Sequence, residues 1–284
     1  MTLNRLALFF CATLALTAGA TAEAALFFSD HFNYANGDLT VYDGTGDNVS
    51  NGAWAPYSGT GNTPSIEVVG GQAKLLIDGS EDATRSIPNA VTDFMTAGET
   101  WYYSARVTVN DRRATPATTA IQNDYFMLMK DTGTTNFRSR LYVNNPSTGT
   151  GGAGFRFGIG PSSGAANAVN WGTDLAFGTT YDVVASYSFD DGFVRLWVNP
   201  ATQASTSVQA TASPSPGTFI TDLSLRQGFI TPNEPNTEIL IDAVGFGDNF
   251  GEVLTALTIP EPASVALSLA GLAGLISMGR RRRR

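Results

Sequence analysis

The sequence predicts an all-β fold, an antiparallel β-sandwich or jelly roll, set between two apolar ends. Three observations lead there. Between residues 25 and 258 apolar side chains recur at every second position in short runs, the period of a half-buried strand. The runs are separated by clusters of Gly, Asn, Asp, Pro and Thr, which is turn chemistry at close spacing. No helical apolar period strong enough to commit to lies between them, so the crossover helices of a parallel sheet are not expected.

The N-terminus carries Arg5, then an apolar run from Leu6 to Leu16, then small residues ending at Ala22-Glu23-Ala24. That order is a secretory signal peptide, residues 1–24, with the A-x-A pattern of Ala22 and Ala24 marking cleavage after Ala24. The run is shorter than the ~20 residues a membrane span needs. Cys11, the only cysteine, lies inside it behind Phe9 and Phe10, a context that does not fit lipidation. The exported chain therefore has no disulfide, no Cys-ligated metal and no thiol chemistry.

Strands are expected at residues 26–29, 66–69, 73–77, 101–109, 125–130, 137–143, 155–159, 181–189, 193–198, 219–227 and 238–246. In 101–109 the odd positions Trp101, Tyr103, Ala105, Val107 and Val109 are apolar; in 181–189 Tyr181, Val183, Ala185, Tyr187 and Phe189 share a face. Gly70-Gly71 and Asp190-Asp191-Gly192 supply the positive φ of tight hairpins. Longer loops are expected at about 30–64, 110–123, 144–153, 160–180 and 200–217. Strands of like composition continue on both sides of each loop, so residues 25–258 are expected to form one extracellular domain.

The C-terminal residues 259–284 hold Pro260-Glu261-Pro262, the uncharged stretch Ala263 to Met278, Gly279, and five arginines, Arg280, Arg281, Arg282, Arg283 and Arg284. A helix over the uncharged stretch would be ~24 Å long at 1.5 Å per residue, close to the ~30 Å of a bilayer core. Snorkelling arginine stems close the gap, and the arginines stay cytoplasmic. A C-terminal transmembrane helix is therefore expected. The order Pro-Glu-Pro, apolar helix, arginine cluster resembles the PEP-CTERM sorting signal of Gram-negative bacteria. The resemblance implies an exosortase-type membrane enzyme as partner, transient anchoring in the inner membrane, and release to the cell surface or medium. It also implies a setting of exopolysaccharide and biofilm.

Three segments of the middle resemble LamG-like, concanavalin A-like jelly-roll domains: Leu26–Tyr34 with Asn36-Gly37, Phe193–Pro200, and Ile239–Phe246 followed by Phe250–Val253. The resemblance supports the fold.

Residues 25–259 hold 11 of the 17 basic and 23 of the 25 acidic residues, a formal charge of about −12. Such a balance excludes nucleic acid as partner, since phosphates demand basic patches. No E-x-D-x-E strand, the arrangement of β-glucan hydrolases on this fold, occurs. Glu238 and Asp242 lie ~13 Å apart along a strand, too far for either glycosidase geometry. His31 is the only histidine, which rules out a multi-histidine metal site. Calcium is the metal whose hard oxygen ligands are present, in Asp43, Asp47 and Asn48, although the spacing does not fit an EF-hand. Sugar binding would use loop aromatics that join an apolar face to a polar tip: Trp54, Tyr57 and Trp171. Trp101 and Trp197 are assigned to the core or a sheet face. The reading is a non-catalytic exported protein that binds extracellular polysaccharide or has a structural role. The alternative is a polysaccharide-degrading enzyme on the same fold.

Overall fold

The computed structural model describes residues 25–40, 48–58, 65–76, 79–88, 95–114, 120–121, 123–133, 135–149, 152–161, 168–210, 219–228 and 237–258. Every strand pair among them is antiparallel, and the strands form two sheets.

The nine-stranded sheet runs β15 (Val208–Ala210), β14 (Val194–Val198), β13 (Thr180–Ser188), β7 (Thr100–Asp111), β17 (Thr237–Gly247), β5 (Gln72–Leu76), β4 (Glu67–Val69) and β2 (Gly37–Asp38). The remaining strand, β1 (Leu26–Asp30), shares one edge of the long β17 with β5. β5 pairs with Glu238–Ile241 and β1 with Val244–Gly247, and a bulge at Asp242 separates the two stretches. The eight-stranded sheet runs β11 (Val169–Asn170), β10 (Gly154–Gly160), β9 (Phe137–Asn144), β8 (Asp124–Lys130), β16 (Asp222–Arg226), β6 (Asp82–Ser86) and β3 (Ala55–Ser58), with β12 (Leu175–Ala176) beside β11 on the edge of β10.

All eleven expected strands are present, with ends shifted by up to three residues. Alternation decides what they bury. Tyr103, Ala105, Val107 and Val109 of β7 face Leu141 and Val143 of β9 and Phe155, Phe157 and Ile159 of β10 across the main hydrophobic core. Removing one such ring, as in Phe157→Ala, costs about 3–5 kcal/mol. A polar tie crosses this core: Ser139 adopts φ 48°, its carbonyl accepts from the Tyr103 hydroxyl at 2.6 Å, and its own hydroxyl donates to the Ser186 carbonyl at 3.0 Å. At the hairpin between β4 and β5, Gly70 and Gly71 take φ 60° and 81°, the two successive left-handed residues of a two-residue turn.

The short strands β2, β3, β6, β11, β12 and β15 and one helix, α1 (Phe250–Ala256), fall outside the expected elements. The strands are two to five residues long, too short to show an alternation of their own, and β6 reads Asp-Ala-Thr-Arg-Ser, with one apolar residue. Pairing with neighbours creates them. The helix has a local signal. The Asn249 side chain caps it by accepting from the Glu252 N–H at 3.1 Å, an Asn-x-x-Glu start. It lies on the outer side of the nine-stranded sheet, where Phe250 and Val253 pack on Tyr102, Val184 and Trp197. Among the described residues no helix is long and apolar enough to cross a membrane. The expected signal peptide, with Ala22 and Ala24, and the expected sorting tail, with Pro260, Glu261, Pro262 and Arg280–Arg284, lie outside the described residues.

Candidate functional site

The eight-stranded sheet has one apolar and one polar face. In β16, Leu223 and Leu225 enter the core while Asp222, Ser224 and Arg226 turn away from it. The same alternation turns Asp82 and Thr84 of β6 outward, with Arg140, Tyr142 and Asn144 of β9 and Arg156, Gly158 and Gly160 of β10. In β8, Phe126, Met127 and Met129 belong to the core, and two register shifts accommodate them. The β10 glycines make room: a Cβ on Gly160 would sit 3.0 Å from the Tyr142 ring, and one on Gly158 would strike the Asn144 amide, which donates to Asn170.

Four rings form a chain across this face. Tyr57 and Phe137 lie 6.3 Å apart, Phe137 and Tyr125 6.3 Å, and Tyr125 and Tyr142 5.6 Å. Tyr57 is on β3, four strand spacings from Phe137 on β9. A flat sheet would hold those strands ~19 Å apart, so the contact shows that the sheet curls over this face and makes it concave. Cations stack on the rings. The Lys130 ammonium lies 5.1 Å from the Tyr57 centroid, and the Arg226 guanidinium 4.1 Å from that of Tyr125. The Arg140 guanidinium lies 4.4 Å from Tyr125 and 4.9 Å from Phe137. Such contacts stabilise by about 0.5–2 kcal/mol each, more as water is excluded.

Charges are matched in part. Arg226 meets Asp124 at 2.8 Å and Lys130 meets Asp222 at 3.6 Å. Desolvation works against the Arg226 charge, but Asp124, with Tyr125 and Asp82, more than restores it and raises its pKa. Burial pushes the Asp82 carboxyl up to about 6, against the pull of the Ser58 hydrogen bond and of Arg226. Burial also raises the hydroxyls of Tyr57, Tyr125 and Tyr142, with Asp82 adding to the effect at Tyr57.

Four buried polar atoms here have no hydrogen-bond partner: the Tyr57 hydroxyl, Asp82 Oδ1, Arg140 Nε and the Tyr142 hydroxyl. Tyr57 and Asp82 lie close enough to influence each other's ionisation. An unmade bond of this kind costs about 1–3 kcal/mol. Meanwhile Tyr57, Tyr125 and Phe137 remain partly exposed. Part-exposed rings therefore border buried donors and acceptors whose bonding capacity is unused.

Of the aromatics expected to bind sugar, Tyr57 alone belongs to this face. Trp54 must be corrected: it is 1% exposed, its indole N–H donates to Asp30 at 2.8 Å, and Phe32 stacks on it at 5.9 Å. Asp30, itself fully buried, also accepts from the Phe32 N–H, the Tyr34 hydroxyl and Arg85. Trp54 thus offers no ring face to a ligand. Trp171 follows β11, at the opposite edge of the sheet from Tyr57, and packs half-buried against the core, its backbone N–H donating to the Phe157 carbonyl. The three aromatics do not share one concave surface.

Asp43 and Asp47 lie outside the described residues. The Asn48 side-chain oxygen accepts from the Ser50 hydroxyl at 2.9 Å and the Gly52 N–H at 3.3 Å, both within its own turn. Among the described residues no three His, Cys, Asp or Glu side chains are grouped to hold a metal. His31 is half-buried, with Nε2 unpartnered. Glu238 and Asp242 are on β17, in the other sheet. Sequence reasoning missed Tyr125, Phe137, Arg140, Tyr142 and Arg226. A signal existed in Arg140-Leu141-Tyr142, where Leu141 inward sets Arg140 and Tyr142 outward together.

The sequence matches no family model, and no curated protein matches it significantly. Solved structures similar to part of the chain include a sialidase (17% identity, TM-score 0.46), over 79% of this chain and 19% of that one. Another, 9% identical with a TM-score of 0.42, is described by the dependence of botulinum neurotoxin type C cell entry on two ganglioside molecules; 72% of this chain and 46% of that one overlap. A third is the CBM2 module of the Lactobacillus casei BL23 phage J-1 evolved Dit (12% identity, TM-score 0.45), over 79% and 96% of the two chains. This chain spans about a fifth of the sialidase and under half of the neurotoxin chain. The fold assignment rests on the strand order and pairing above.

Proposed function

We propose that this is an exported, non-catalytic protein that holds polysaccharide on the concave face of its eight-stranded sheet. The observation that supports the reading is the conjunction, on that face, of part-exposed rings with buried, unsatisfied polar atoms. A sugar ring offers apolar C–H faces that stack on aromatics and hydroxyls that donate and accept. Tyr57, Phe137 and Tyr125 match the first. Asp82 Oδ1 accepts, Arg140 Nε donates, and the tyrosine hydroxyls do either. The N-terminal leader and the Pro-Glu-Pro tail support delivery to the cell surface, with an exosortase-type membrane enzyme as processing partner.

The test is calorimetric titration of the purified protein with bacterial exopolysaccharides, beside Tyr125→Ala. Loss of the Tyr125 ring should weaken binding by about tenfold or more, ~1.4 kcal/mol, with the fold retained by circular dichroism. Binding untouched by both Tyr125→Ala and Tyr57→Ala would refute the location. No binding to any glycan would return the protein to the structural class.

One observation favours the enzymatic alternative. Asp82, pushed up to about 6, shares a face with Asp124, which Arg226 pairs. Two carboxyls in unlike surroundings are the acid and base pattern of glycosidases. Release of reducing ends that stops in Asp82→Asn would establish that reading over the non-catalytic one.

A further inference from the structure

Resting on the carbohydrate-binding reading above, the geometry points to a carboxylated glycan as the ligand, with Arg140 as the residue that receives its carboxylate.

The cations of the concave face differ in how they are matched. Lys130 pairs with Asp222, Arg156 with Asp174 and Arg226 with Asp124. Arg140 is in no ion pair among the described residues, though it is 8% exposed and its Nε is buried without a partner. Tyr125 and Phe137 bracket its guanidinium. The Tyr142 hydroxyl is near enough for Arg140 to act on it by charge and by hydrogen bonding.

A guanidinium so placed has lost much of its hydration and has ring faces and the Tyr142 hydroxyl, but no anion, in exchange. Rings compensate part of a buried charge; an anion compensates it fully. The planar fork matches a carboxylate through two parallel N–H···O bonds, and exclusion of water strengthens them. Tyr142 can donate a further bond to the same carboxylate, and the neighbouring rings stack on the sugar that carries it. A neutral sugar satisfies the rings and the hydroxyls but leaves the charge unmatched. The acidic balance of the chain adds a constraint. Its long-range field repels polyanions, so recognition must come from one desolvated contact and should survive physiological salt.

The experiment uses the full chain in mild detergent at 150 mM salt. It titrates polygalacturonate and alginate, the same two polymers after chemical reduction of their carboxyl groups, and a panel of neutral exopolysaccharides. The inference expects at least one polyuronate to bind tenfold or more tighter than its reduced form. Reducing the ligand leaves the protein unaltered, so misfolding cannot imitate that result. In Arg140→Gln the preference should vanish, and in Arg140→Lys it should be only partly restored. Equal binding of native and reduced polymer, or binding to neutral glycans alone, overturns the inference and leaves the carbohydrate-binding reading standing. No binding to any polymer overturns both.

Discussion

Glu81 and Asp82 are consecutive, both buried, and both pushed up to about 6, burial being the main cause for each. Glu81 is 0% exposed and accepts from the Thr40 hydroxyl and the Ile66 N–H, which pull its pKa down without overcoming desolvation. In the unfolded chain such carboxyls titrate near 4. Between about pH 4 and 6 the folded state therefore holds protons that the unfolded state has lost. The stability these groups provide is complete below about pH 4 and disappears as the pH rises through 6. At about 1.4 kcal/mol per pKa unit, the loss is about 2 kcal/mol for Glu81 and about 3 kcal/mol for Asp82. Asp111, lowered by Arg113 against the effect of burial, acts in the opposite sense below pH 4, so the comparison belongs between pH 4.5 and 8. The perturbation is Glu81→Gln, a stand-in for the protonated acid: one side-chain oxygen remains for Ile66, and the Thr40 hydroxyl can rotate to accept from the amide. Urea unfolding followed by tryptophan fluorescence should show variant and parent within about 0.5 kcal/mol at pH 4.5, and the variant more stable by about 2 kcal/mol at pH 8. Equal destabilisation at both pH values would refute the reasoning, because it would mean that the folded state uses the ionised carboxylate.

Two further outcomes are expected. Trp54→Ala should destabilise by about 3–5 kcal/mol, through the lost ring and the unmet Asp30 bond, yet leave glycan affinity of the folded protein unchanged; parallel denaturation and titration check it. Gly245→Val should loosen α1, since even a Cβ there would stand 2.9 Å from the Ala256 Cβ. A cost of about 1–3 kcal/mol should appear as faster amide exchange over residues 250–256.

Much of the architecture was legible because a strand with one buried face carries its own signature. The alternation in 101–109 and 181–189 located β7 and β13, and Gly70-Gly71 announced its hairpin, because left-handed φ is a property of the residue itself. What failed to show were strands such as β6 and β11, whose extended state comes from a partner's hydrogen bonds. The candidate site divides along the same line. Tyr57 was found because a loop aromatic is conspicuous. Trp54 looked equivalent, and only the position of Asp30 decides that its N–H points inward. Arg140 and Tyr142 were in view as the outward residues of a strand, but nothing local tells which strand will lie beside which.

The sequence by itself determined the all-β class and most strands, because periodicity and turn chemistry are written in neighbouring residues. Only the tertiary structure decided which aromatics are core, which sheet is concave, and that Tyr57, Asp82, Tyr125, Arg140 and Arg226, on five different strands, share one face. Strand order and curl depend on how distant segments bury one another's apolar sides, and that is a property of the whole chain.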